Sequence, residues 1–234
     1  MVEGERQEGV SMSAREEILA RLRAAPRGTA PARPTMPPLS ELSLDRERLI
    51  ERFTSELNAQ TGVVHQAAGR EETLRVLTAI AAAEGIRKAV ASGDDTVRAL
   101  DLASWGRTAG VDVFTADDVP DREAFRQAAF SSDAGITSTD FAIAETGSLG
   151  LIFRSGQPRL ASIAPPVHIA VVPAGRLYPV YENAVEQVFS QGLKAPSQFC
   201  FITGPSSTGD IQAVQFKGMH GPVKVIVIFV TGQD

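Results

Sequence analysis

Residues 131–153 read SSDAGITSTDFAIAETGSLGLIF, and the fold turns on them. Before this stretch, short apolar runs alternate with helical patterns. The strands are Val63–Ala67, Ile86–Ala91 and Val111–Phe114; the helices are Glu71–Ala83, Thr96–Leu102 and Arg122–Phe130. Such alternation implies parallel βαβ units. From Ser131 onward the pattern changes. Ile136, Phe141–Ala144, Ser148–Phe153 and Val167–Val172 are strands joined by short Gly- or Pro-containing connections with little helix between them. A helix over Val180–Gln191 and strands over Gln198–Thr203 and Val223–Val230 complete the chain. We therefore expect an α/β fold in which a parallel half leads into a mixed-sheet half where the chain doubles back.

Upstream, residues 1–12 are charged and lack periodicity, which predicts disorder. Ser13 and Glu16 have capping-box spacing ahead of Ile18, Leu19 and Leu22, so a short helix should start there and end before Pro26. Ala25–Ser40 is Pro-rich and suits an extended linker. A second helix is predicted from Asp45 to Ala59, with Leu49, Phe53 and Leu57 on one face. We divide the chain into a helical arm with its linker (1–60) and an α/β domain (61–234). The arm should dock on the body or on a neighbouring copy of the chain in a homo-oligomer.

The 234 residues can bury a sizeable core, and 43% hydrophobic content with 22% charged residues is ordinary for a globular protein. A net charge of -5 lacks the basic footprint that nucleic-acid binding needs. No apolar run approaches the roughly 20 residues of a membrane span, and the polar start does not read as a secretory signal. Cys200 is the only cysteine, so this chain alone cannot ligate an iron–sulfur cluster. These features predict a cytoplasmic protein with no cofactor of its own.

Three places could carry chemistry. Glu145 ends the strand Phe141–Ala144, and a carboxylate inside an apolar run is costly unless it is paired or exposed. It could attack an acyl group, take a proton, bind a cation, or accept hydrogen bonds from a turn or from Arg154 or Arg159. Thr146 and Gly147 beside it would contact the ligand. The second place is TGPSSTGD (Thr203–Asp210), a loop of hydroxyls and glycines after a strand. Gly204, Ser206, Ser207, Thr208 and Asp210 could hold a phosphate or carboxylate, or the loop could be a turn whose Asp caps a helix at Ile211. It is not a Walker loop, since no Gly-Lys-Ser/Thr follows. The third is His220 in GMHGP (Gly218–Pro222), a turn histidine that could act as a general acid or base. His168, in the strand PPVHIAVV, reads as a hydrogen-bonded sheet residue. No zinc-ligand spacing occurs, so no metal is expected.

The segments GITSTDFAIAETGSLGL (Gly135–Leu151), PPVHIAVVP (Pro165–Pro173), FITGPSSTGDI (Phe201–Ile211) and GMHGPVKVIVI (Gly218–Ile228) resemble the LUD-domain family, in its lactate-utilisation protein C group. The resemblance runs from about Arg70 to Val230. It implies a three-layer mixed-sheet fold similar to glucosamine-6-phosphate deaminase, ribose-5-phosphate isomerase and the CoA transferases. It also implies a part in oxidising L-lactate to pyruvate beside two iron–sulfur partners, lactate-utilisation proteins A and B, which would carry any clusters. Glu145-x-Gly147-x-Leu149-Gly150 is similar to the Glu-Asn-Gly-x-Leu-Gly signature around the CoA-transferase nucleophile. Thr146 stands where those enzymes have Asn, and Gln212 stands where many LUD members carry an acid. We expect a non-redox component with a small-anion site near Glu145 and the TGPSS loop. The alternative is an enzyme of CoA-transferase or sugar-phosphate-isomerase type that uses Glu145.

Overall fold

The computed structural model describes residues 13–25, 44–119, 121–154, 158–189, 198–209 and 215–232. The expectations for residues 1–12, for the linker at 26–40 and for a helix at Ile211 fall outside these. The chain divides into two compact units, Met1–Pro38 and Leu39–Asp234. In the first, α1 (Ala14–Ala24) opens on the capping box read from the sequence. Ser13 Oγ accepts from the Glu16 N–H, and the Glu16 carboxylate accepts from the Ser13 N–H at 2.8 Å.

The second unit starts with α2 (Arg46–Ala59), capped by the Asp45 side chain and burying Leu49, Ile50, Phe53 and Leu57. The βαβ alternation follows as β1 (Val63–Ala67), α3 (Arg70–Glu84), β2 (Lys88–Ala91), α4 (Asp95–Arg98), α5 (Leu102–Ala109), β3 (Asp112–Thr115), α6 (Arg122–Phe130) and β4 (Ala134–Ser138). The helix expected over Thr96–Leu102 is two helices. Asp101 turns left-handed at φ 51°, and its side chain accepts from the Ser104 N–H to cap α5. After β4 come β5 (Phe141–Ile143), β6 (Ser148–Ile152), α7 (Leu160–Ile163), β7 (Val167–Pro173), β8 (Leu177–Tyr178), α8 (Tyr181–Phe189), β9 (Phe199–Ile202), β10 (Ser207–Gly209), β11 (Gln215–Lys217) and β12 (Lys224–Val230).

The expected mixed half resolves into separate sheets. β4, β7 and β12 join the earlier strands in a six-stranded sheet of order β1-β12-β7-β4-β2-β3, parallel at every pairing. The doubling back is confined to a four-stranded sheet, β8-β5-β6-β9, and to the β10–β11 hairpin. The molecule is thus a mixed α/β protein built on a mainly parallel sheet.

Helices on one face and a composite layer on the other cover the large sheet, as a parallel sheet requires. Leu77 and Ile80 of α3 and Trp105 of α5 pack on Ala89, Ile136, Ile169 and Ile228. On the opposite face α2 and the small sheet meet Ala170, Val227 and Phe229, with the Phe53 and Phe229 rings edge to face at 5.0 Å. α6 and α7 cover Val90 on that side. α7 comes so near that a β-carbon on Gly135 would lie 1.7 Å from the Ala161 carbonyl oxygen. The strand order reverses between β2 and β4: the chain leaves β2 for β3 on one side and later returns to β4 on the other. The carboxyl ends of those strands are a topological switch point, where open α/β sheets gather ligands.

Candidate functional site

Glu145 and Thr146 occupy the turn between β5 and β6, and both side chains are exposed. The turn is pinned by the Glu145 N–H, which donates to the Pro179 carbonyl at 3.0 Å. Gly147 sits at φ 64° against α2, where a β-carbon would lie 2.6 Å from the Leu57 nitrogen. Only glycine satisfies that backbone and that approach together. From the turn a chain of hydroxyls runs inward: Thr146 Oγ1 donates to Ser148 Oγ at 2.7 Å, and Ser148 Oγ bonds Thr203 Oγ1 at 2.8 Å. The Glu145 turn and the TGPSS loop, 55 residues apart at Ser148 and Thr203, are therefore physically joined.

The loop itself rests on the end of α2. Gly204, at φ 144°, brings its backbone within 2.8 Å (as a virtual β-carbon) of Gln60 Cβ. Between loop and helix end lies a cleft of about 470 Å³, lined by Gln60, Thr61, Thr203, Gly204, Ser207 and Lys217, among others. Lys217 Nζ donates to Thr61 Oγ1 at 2.7 Å. Thr61 holds φ 67°, an unfavourable conformation for a β-branched residue and one that recurs at ligand sites. Of the residues singled out in the sequence, Gly204 and Ser207 line this cleft; Glu145, Thr146, Gly147 and His220 do not. Ser206 instead ties the loop to the GMHGP turn. Its N–H donates to the Pro222 carbonyl at 2.8 Å and its carbonyl accepts from the Gly218 N–H at 2.9 Å. Thr208 pairs with Phe216 in the hairpin, His220 is exposed in its turn, and Asp210 lies outside the described residues.

The carboxyl edge of the large sheet carries two more cavities, neither anticipated from the sequence. At the switch point a narrow one of about 20 Å³, room for one water, is bounded by Ser92, Asp94, Thr137, Ser138 and Asp140. Its polar groups are largely spoken for. Ser92 Oγ donates to Asp94, Asp94 also caps α4, and Asp140 accepts from the Ile152 N–H and from Arg154. Thr137 Oγ1 bonds His168 Nε2 at 2.9 Å. His168 is a hydrogen-bonded sheet residue, as read; it is fully buried, its Nδ1 has no partner, and burial pulls its pKa down to about 4. It is neutral at pH 7. The second cavity, about 380 Å³, lies over the ends of β1, β7 and β12, with Arg70 and Arg176 in its walls. Sequence reasoning missed Lys217, Arg70 and Arg176. The one local signal was Gly69-Arg70 between a strand and a helix.

Among the described residues no three or more His, Cys, Asp or Glu side chains cluster as metal ligands, and no helix is long and apolar enough to cross a membrane. Burial pushes the Cys200 thiol up, against a smaller opposing pull from Arg159.

Comparison with known proteins places this geometry. Lactate utilization protein C of Exiguobacterium sp. is 32% identical over 189 residues, 79% of this chain and 78% of that protein. Lactate utilization protein C 1 of Bacillus mycoides is 29% identical over 177 residues, 73% and 76% of the two chains. The crystal structure of a DUF162 family protein from Deinococcus radiodurans superposes with a TM-score of 0.58 at 20% identity. It covers 80% of this chain and 99% of that one, and so shows the fold. The LUD domain pattern matches residues 50–230, from α2 to the end of β12, and takes in both sheets and the cleft between α2 and the TGPSS loop. The chain belongs to the LUD-domain family.

Proposed function

We propose that the protein is a cytoplasmic, non-redox component of L-lactate utilisation that holds a small carboxylate in the cleft between the end of α2 and the TGPSS loop. The observation that carries this reading is the Lys217–Thr61 pair. An ammonium and the hydroxyls of Thr61, Thr203 and Ser207 converge on one cavity, and a backbone held left-handed at Thr61 sustains the arrangement. A cation with neutral donors around it suits a carboxylate such as lactate or pyruvate. The relatives named lactate utilization protein C supply the pathway. Electrons would pass through iron–sulfur partners A and B, and this chain, with its single cysteine, would bind rather than oxidise. We take the fold to be of the glucosamine-6-phosphate deaminase, ribose-5-phosphate isomerase and CoA-transferase kind, which the helix-covered parallel sheet supports.

Growth tests the proposal. A strain lacking this gene should fail on L-lactate as sole carbon source. The intact gene should restore growth, and Lys217→Met should restore it poorly while melting at the wild-type temperature. Normal growth of the deletion strain sinks the pathway assignment; full rescue by Lys217→Met sinks the anion site. A second reading keeps Glu145 as a reactive carboxylate. Its side chain is exposed at the end of β5, and the hydroxyl chain from Thr146 leads to the cleft.

A further inference from the structure

We propose that the cavity over the carboxyl ends of β1, β7 and β12 binds a phosphate ester that also carries free hydroxyl groups, of sugar-phosphate or nucleotide size. This site is separate from the carboxylate cleft and does not depend on it.

Two guanidiniums line the cavity. Arg70, the first residue of α3, donates from Nε and Nη2 to the Ala99 and Leu100 carbonyls, at 2.9 Å each. Arg176, in the turn after β7, donates from Nη1 to the Thr139 carbonyl at 2.6 Å. Carbonyls hold a guanidinium in place without cancelling its charge, and each group keeps further N–H donors, since it has five. Neither arginine belongs to any ion pair among the described residues. Asp101, an exposed carboxylate bonded to Ser104, feels the charge of Arg70 from outside the lining. Two fixed guanidiniums in one cavity, neither in a salt bridge among the described residues, form a preorganised anion receptor, because the entropy of ordering them is already spent on the carbonyl bonds.

The rest of the lining narrows the ligand. The lining also includes Asp95 and Thr96, at the start of α4. A carboxylate there disfavours a ligand that is anionic throughout, and it accepts hydrogen bonds from hydroxyls, as acids do with ribose in nucleotide sites. At about 380 Å³ the cavity falls within the range of small-molecule sites, roughly 300–1,000 Å³. Phosphate on the arginines and hydroxyls on Asp95 and Thr96 satisfy these groups together.

The test is calorimetric titration of the full-length protein with ribose 5-phosphate and with AMP, beside inorganic phosphate and ribose. It is paired with arginine footprinting by phenylglyoxal and mass spectrometry on the unmutated protein. An ester should bind more tightly than phosphate or ribose, and should protect the Arg70 and Arg176 peptides. Arg70→Gln and Arg176→Gln should each weaken the ester about tenfold or more, the usual scale for a charged hydrogen bond. Asp95→Asn should weaken the ester while inorganic phosphate binds at least as well as before, and Lys217→Met should change neither. If neither ester binds, or if protection falls on other arginines, the proposal fails. The footprint needs no variant, so it decides the matter even if Arg176→Gln does not fold.

Discussion

β7 and β12 of the six-stranded sheet are buried along almost their whole length, whereas β9 of the four-stranded sheet is exposed or part-exposed at every position. The central strands of the large sheet are sealed on both faces, so they can offer chemistry only where they end, at the carboxyl edge with Arg70 and Arg176. The small sheet has open turns and an attached hairpin, and its polar groups, from Thr146 through Ser148 to Thr203, reach the surface through its loops. The covered central strands thus act as the scaffold, and the turns and edge of the small sheet carry the adjustable part of the site. Phe53 tests whether they are one cooperative body. Its ring is fully buried between Phe229 of the large sheet and the apolar side of the small one. Phe53→Ala should cost about 3–5 kcal/mol and lower one common melting transition. Two resolved transitions in a calorimetric scan would show that the sheets melt independently.

The glycines sharpen the contrast. A β-carbon on Gly135, in the large sheet, meets the Ala161 carbonyl oxygen at 1.7 Å, and backbone cannot swing aside. On Gly150, in the small sheet, it meets the Phe141 ring at 2.2 Å, a side chain that can rotate if its neighbours yield. Gly135→Ala should therefore cost about 3 kcal/mol or more, and Gly150→Ala nearer the low end of the overpacking range, about 1 kcal/mol. Urea midpoints of the two variants measure this; equal losses would erase the distinction between rigid and adjustable sheets.

His168 gives the large sheet a pH signature. Its folded pKa, about 4, lies below the ordinary histidine value, so the unfolded chain binds the proton more readily. The stability it lends is complete above about pH 6.5 and is lost as pH falls toward 4, in total on the order of 3 kcal/mol. His168→Gln should flatten the stability profile across that window relative to the parent. Parallel profiles would show that protonation of His168 is not coupled to unfolding.

What the sequence disclosed follows from where the information is local. The βαβ alternation from Val63 to Phe130 was legible because each element carries its own period. The break at Asp101 was not, because Leu100 and Leu102 continue an apolar pattern across a left-handed residue that only the structure exposes. Likewise the apolar runs of β4, β7 and β12 look like those of β5 and β6, and partner choice between two sheets is decided by tertiary packing. Gly147 and Gly204 announced themselves as turn glycines. Arg70 and Arg176 did not, since no local pattern links residues so far apart, and Lys217 joins Thr61 only through the hairpin's fold-back.

The smallest expected effect concerns Glu145, whose carboxylate the sequence placed in an apolar run at apparent cost. The structure removes that cost by exposing the side chain at the turn, while the backbone N–H holds the turn through Pro179. Glu145→Gln should therefore change stability by no more than about 0.5 kcal/mol, as for surface substitutions generally. That neutrality makes the variant a clean probe of function, because a loss of growth on L-lactate could not be blamed on folding. If growth falls while the melting temperature holds, Glu145 contributes chemistry from the adjustable sheet, and the cleft at Lys217 must extend to the turn when occupied. If both hold, the hydroxyl chain from Thr146 to Thr203 positions the loop alone. A melting temperature lowered by several degrees would mean instead that the carboxylate braces the turn, and the small sheet would be less adjustable than its exposure suggests.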